Sequence, residues 1–253
     1  MLRHWRTVRR VSQLALSLDA EISTRHLSCI ETGRSQPSRE MVVRLAEALD
    51  VPLRERNALL LAAGYAPLYR HTGLDAPELA AARHAVDLLM AQLEPNPVLL
   101  LDRHWNTLRM NAGAKRFLGL FPGCNSGSPH NGVRLVFQPD GLRPFIENWE
   151  EIAARVIRRL RHEAAANASD EVLKQFLDEL LSYPDIPSRW RMVDLETPSA
   201  FLTINYRWKG TLFRLFSTLT TLGTPLDVGL QELRVETFFP ADEATRIALN
   251  RLS

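Results

Sequence analysis

The chain has 253 residues, enough for two domains with a sizeable core in the second, and carries 31 basic against 29 acidic side chains for a net charge of +2. No run approaches the roughly 18 consecutive apolar residues of a membrane span, and the opening MLRHWRTVRR holds no apolar signal region, so a cytoplasmic protein without a membrane partner is expected. The two cysteines, Cys29 and Cys124, fall in different expected domains and offer neither a disulfide framework nor a metal-ligand spacing.

The first elements are short helices with serine starts. Ser12 can cap one whose inner positions are Leu14, Ala15 and Leu18, and Ser23 can cap the next, where Leu27 and Ile30 face the core. The outer face of that second helix carries Thr24, Arg25, His26, Ser28 and Cys29, which leave the backbone free to approach base edges. Gly33 supplies a left-handed stop. Pro37 and Ser38 open a further helix with the stripe Met41, Leu45, Ala46 and Leu49, and a last one, Arg54 to Ala63, ends at Gly64. Residues 1–44 hold eight arginines and four carboxylates, a local +4 that leaves −2 for the remainder. The positive charge therefore sits where a DNA-contacting helix pair is expected.

This segment resembles the Xre-type, phage-repressor-like helix–turn–helix over roughly residues 2–66. The resemblance implies a largely buried ion pair between Arg6 and Glu31 and a phosphate anchor at Gln13. It places Thr24, Arg25, Ser28 and Cys29 at base-reading positions, with Arg34 completing the DNA-binding set. Cys29 departs from the polar residue often found there and is expected to brush a thymine methyl. One such module makes few contacts, so a homodimer on a double-stranded operator is expected.

Tyr65–Ala76 contains Pro67 and Gly73 without clear periodicity and reads as a linker, with residues 67–76 separating domains at 1–66 and 77–253. A helix from Pro77 to about Leu93 carries the stripe Leu79, Ala82, Val86, Leu89 and Leu93, and Pro95 and Pro97 end it. Val98–Asp102 and Trp105–Met110 read as antiparallel strands, Asn111 as the start of a helix through Leu118, and Leu142–Ala166 and Asp170–Leu181 as longer helices. Ala200–Trp208, Thr211–Thr221 and Leu233–Phe239 complete the strands, the first two joined by Lys209-Gly210. Two strands, helices, then three strands predict an α+β domain with a five-stranded antiparallel sheet, similar to a PAS domain, behind an all-α bundle.

The stretches Glu31–Pro67, Arg143–Ala153 (RPFIENWEEIA) and Leu215–Asp242 together resemble the MmyB-like transcription regulators, which join an Xre helix–turn–helix to a PAS-like ligand domain. The resemblance implies a transcription regulator whose second domain holds a fatty acid of about 12–18 carbons as effector, with no other cofactor.

An acyl tunnel needs apolar walls, for which Phe117, Phe137, Phe145, Trp149 and Ile152 are candidates, together with Val156, Leu202, Leu215 and Leu219. Each of these also fits plain core. Carboxylate donors are sought in Asn111, Asn148, Arg143 and Arg155, with the two asparagines favoured because each borders an apolar wall. The alternative is a DNA-binding regulator whose second domain only dimerises or docks a protein. No enzyme is expected: His84, His104, His130 and His162 stand apart and read as surface residues. Self-cleavage at Ala112-Gly113 would have to occur inside a helix start.

Overall fold

The computed structural model describes residues 1–124, 131–167, 170–187, 190, 202–223 and 225–252. In chain order it begins with α1 (Leu2–Val8), α2 (Gln13–Asp19), α3 (Thr24–Glu31), α4 (Arg39–Ala48), α5 (Leu53–Ala62) and α6 (Ala80–Gln92). There follow β1 (Val98–Leu101), β2 (Thr107–Met110), α7 (Ala112–Leu118), α8 (Gly132–Phe137), α9 (Trp149–Ala166) and α10 (Glu171–Ser182). The chain closes with β3 (Ile204–Trp208), β4 (Thr211–Thr220), α11 (Val228–Gln231), β5 (Arg234–Pro240) and α12 (Glu243–Asn250). Two compact units result: Met1–Leu79 with Leu222–Gln231, and Ala80–Thr221 with Glu232–Ser253.

The first unit is a helical bundle whose helix starts follow from three serines. Ser12, Ser23 and Ser38 accept hydrogen bonds from the amides of Ala15 (3.0 Å), His26 (3.2 Å) and Met41 (3.2 Å), each satisfying an otherwise orphaned first-turn donor. Gly33 and Gly64 take φ of +73° and +83°, the left-handed exits that other residues adopt only with strain. Trp5, Leu16, Leu27, Leu45 and Leu60 form the centre of the core.

The face of α2 corrects the sequence reading. Leu14 and Leu18 are 61% and 69% exposed and Ala15 is exposed, while Leu16, Ser17 and Ala20 are buried. A seven-residue helix carries two apolar rows at i, i+4 spacing, Leu14/Leu18 and Leu16/Ala20. Two turns of periodicity cannot choose between them. On α4, Val42 is buried where Met41 is only partly so.

The segment expected as a free linker is tied down. Asn57 of α5 accepts from the amides of Leu68 (2.9 Å) and Tyr69 (3.0 Å) and donates to the Tyr69 carbonyl (2.7 Å). Segment Leu222–Gln231, which joins β4 to β5, folds with the same unit. The Val228 amide donates to the Arg70 carbonyl at 2.8 Å, and the Asp227 carboxylate accepts from the Thr72 amide at 3.1 Å. The Gln231 Oε1 accepts from the Leu53 amide at 2.7 Å, supplying the side-chain cap that Pro52 cannot give α5.

The second unit is built on a five-stranded antiparallel sheet in the order β2-β1-β5-β4-β3, a PAS-like arrangement with β5 at the centre. All four residues of β1 are buried, as their continuous apolar run requires of a strand covered on both faces. Asn111 caps α7 as expected, accepting from the Ala114 amide at 2.8 Å, and Asn131 and Asp242 cap α8 and α12.

Three boundaries differ from the sequence reading. The second strand begins at Thr107 because the Asp102 carboxylate accepts from the amides of His104 and Asn106, making a turn in which buried Trp105 has φ +67°. The helix expected from Leu142 begins at Trp149. Residues 143–145 form a 3-10 turn around Pro144, and Asn148 spends its side chain on the Thr203 carbonyl and the Asn205 amide instead of on a cap. The third strand begins at Ile204, and the expected start at Ala200 lies outside the described residues.

Candidate functional site: an exposed helix face and a lined cavity

In the first unit, α3 presents Thr24, Arg25 and His26 exposed, Ser28 and Cys29 partly so, and Arg34 exposed just beyond its end. Leu27, completely buried, fixes which face is outward. The helix is held at its far end by Glu31, whose carboxylate accepts a bidentate pair from Arg6, Nε at 2.6 Å and a terminal nitrogen at 2.9 Å. The Glu31 side chain is only 2% exposed, and Arg6 also donates to the Val11 carbonyl. The guanidinium holds the Glu31 carboxyl below the usual carboxylate range, and Glu31 raises Arg6 in return. Gln13, sought as a phosphate anchor, donates Nε2–H to the same carboxylate at 2.8 Å. An amide nitrogen carries two hydrogens, so this bond fixes Gln13 at the start of α2 and leaves one donor for another partner.

In the second unit, a cavity of about 660 Å³ lies between the sheet and α9, bounded at its ends by α7 and α8. Its helix wall comes from two adjacent i, i+4 rows of α9. Ile152, Val156 and Leu160 make an apolar row, and Arg155, Arg159 and Glu163 the charged row beside it, of which the two arginines line the cavity with Arg158 and His162. The sheet wall is mostly apolar, with Leu99 and Leu101 on β1 and Phe238 on β5. Tyr206, Ser217 and Glu236 break it, one on each of β3, β4 and β5.

One end of the cavity is a closed polar network. Arg159 and Arg234 stack against Trp105 with guanidinium carbons 4.3 and 4.6 Å from the ring centre. Glu163 ties the three together, accepting from Arg159 Nε (3.2 Å), Arg234 (3.0 Å) and the Trp105 indole (3.2 Å). Among the described residues Arg159 donates through Nε, and the same side chain lines the cavity. Desolvation lowers the Arg159 pKa although the carboxylates of Glu163 and Glu236 both act to raise it.

The sequence-derived ligand residues separate into two groups in space. Phe117, Ile152, Val156, Leu202 and Arg155 line the cavity. Phe137, Phe145, Trp149, Leu215 and Leu219 belong instead to the packed clusters around it, Trp149 donating to the Val136 carbonyl and carrying Arg143 on its ring at 4.0 Å. The favoured asparagines are both committed to backbone. Asn111 caps α7 and also accepts from the Val98 amide and donates to the Asn96 carbonyl, while Asn148 joins α9 to β3. Trp105, Arg159, Tyr206 and Glu236 were missed, although the i, i+4 charged row of α9 was legible. One histidine is not a simple surface residue, since His104 lies 3.1 Å from the Asp170 carboxylate, whereas His162 is exposed as expected and also borders the cavity. The bond Ala112-Gly113 lies in the first turn of α7 with Gly113 buried.

Family models match the chain in two places. One, described as the MmyB-like transcription regulator ligand binding domain, matches residues 82–252, and one described as a helix-turn-helix domain matches residues 1–59. None of the curated proteins matches the chain. Among solved structures, that of an RNA-binding light-oxygen-voltage receptor is similar at 12% identity and a TM-score of 0.29, covering 98% of this chain and 60% of that one.

Proposed function

The chain belongs to the MmyB-like transcription regulators, and from that premise we propose that it is a DNA-binding regulator whose effector is a long-chain fatty acid held in the second unit's cavity. Helix–turn–helix and ligand-binding domain together make it a ligand-responsive transcription regulator. The identity of the effector is the further step.

The observation that supports an acid is the pairing of an apolar cavity with a guanidinium end. About 660 Å³ falls within the roughly 300–1,000 Å³ of small-molecule sites. Burying an acyl chain contributes about 0.8 kcal/mol per methylene, ample for a chain of a dozen carbons or more after association is accounted for. Head-group contact with Arg159 and its neighbours then sets orientation. Binding alone regulates nothing: the acid must favour one DNA-binding state over the other. The route we propose is the chain itself. Strands β4 and β5 carry Ser217, Glu236 and Phe238 on the cavity wall, and the segment joining them folds with the DNA-binding unit.

Native mass spectrometry of protein stripped by organic extraction and re-exposed to saturated acids tests the reading. One acid per chain, with no uptake of the matching methyl ester, is the expected result. Absence of saturable uptake for every acid from about ten to eighteen carbons would return the second unit to a dimerisation or docking role.

A further inference from the structure

The helix wall of the cavity carries more positive charge than a single carboxylate can use. Arg155, Arg158, Arg159 and His162 all line it, and among the described lining residues the only carboxyl group is that of Glu236. The four stand at i, i+3, i+4 and i+7 on α9. Each therefore has two of the others about 5–6 Å away, and the patch extends over two turns, about 10 Å of helix.

The patch lies on the solvent side of the wall. Arg155, Arg159 and His162 are exposed and Arg158 half-buried, whereas Ile152 and Leu160 on the adjacent apolar row are 4% and 0% exposed. An elongated ligand therefore lays its tail on hydrocarbon and its head against cations, and the exposed edge sets no limit on the size of that head. Arg159 is already held in place. Its guanidinium carbon is 4.3 Å from the centre of the Trp105 ring, and its Nε donates at 3.2 Å to a Glu163 carboxylate that Arg234 and Trp105 share. One such bond does not exhaust a guanidinium, which has five N–H donors in a fixed fork.

A carboxylate brings one charge and two oxygens to this patch. A phosphate monoester brings a charge of about −1.5 to −2 and three oxygens, enough to bond two neighbouring guanidiniums at once. Phosphate is the better match in both charge and span.

Resting on the reading of the cavity as an acyl site, we infer that Arg155, Arg158, Arg159 and His162 form a phosphate subsite at its edge, and that the site takes an acyl chain with a phosphate close behind its carbonyl in preference to the free acid. The long-chain acid is then the acyl part of the ligand.

Calorimetry on the delipidated full-length protein tests this with ligands of one tail length: dodecanoic acid, dodecyl phosphate, 1-dodecanoylglycerol 3-phosphate and dodecanoyl coenzyme A. Dodecyl phosphate and the glycerol phosphate ester should bind about tenfold tighter than the acid. The coenzyme A ester, whose phosphates lie far from its carbonyl along the pantetheine arm, should gain no such advantage. In the double variant Arg155→Gln, Arg158→Gln the phosphate preference should fall to about parity. Circular dichroism shows whether that variant is folded, and the wild-type comparison does not depend on it. Phosphates binding no tighter than the acid, a preference confined to the coenzyme A ester, or one undiminished in the folded double variant overturns the inference while leaving the fatty-acid reading in place. No saturable heat for any of these ligands overturns both.

Discussion

At the scale of single residues, Arg25 on α3 and Arg6, which holds the end of α3, do different work. Arg6 is 15% exposed and closes a bidentate pair on a carboxylate that is almost fully buried, whereas Arg25 is exposed on the outer face of α3. Removing one partner of a buried pair strands the other charge and costs about 3–5 kcal/mol. Arg6→Ala should therefore lower the stability of the helical bundle by about that amount in urea titrations. Arg25→Ala should leave stability unchanged and weaken cognate DNA by about 1–3 kcal/mol, relaxing preference at one base. Equal losses on cognate and random duplexes would remove Arg25 from base reading.

The pH dependence of the pair has a definite sign. Glu31 titrates below its unfolded value, so the stability it contributes is complete above the ordinary glutamate pKa and disappears as pH falls through the depressed folded value. Glu31→Gln should flatten that acid limb.

At the scale of elements, α5 is capped from far along the chain. Its first-turn amide at Leu53 donates to Gln231 Oε1, and Gln231 ends the segment between β4 and β5. Gln231→Ala should destabilise the first unit by about 0.5–2 kcal/mol, the ordinary value of a helix cap. If β4 and β5 carry the effector signal, the same change should leave ligand affinity intact and reduce the difference in DNA affinity between loaded and stripped protein. Both quantities can be read from one fluorescence-anisotropy series with and without acid. Unchanged coupling would assign Gln231 to stability alone.

At the scale of the whole molecule, the proposed mode of action is a dimer on DNA. One α3 offers few base contacts, and a bundle of this size holds specific DNA weakly unless two act together. Footprinting should show paired half-sites about 10–10.5 base pairs apart, or a multiple, with two chains bound. A single protected half-site carrying one chain would count against it.

The sequence by itself determined what depends on neighbours along the chain. Serine caps at Ser12, Ser23 and Ser38, glycine exits at Gly33 and Gly64, the asparagine cap of α7 and the strand runs of β1, β4 and β5 are local chemistry, and local chemistry can be read in order. The Arg6–Glu31 pair was legible because family resemblance carries the long-range partner with it. Only the tertiary structure decided which apolar residues bound empty space and which fill it, since Phe117 and Phe137 have the same hydrophobicity but only Phe117 lines the cavity. It also decided that Asn111 and Asn148 are consumed by backbone partners and that Tyr206 and Glu236 face one cavity from different strands. The segment between β4 and β5 belongs to the other unit for the same reason. Each of these rests on partners outside the residue's own helix or strand, which no period of 2 or 3.6 encodes.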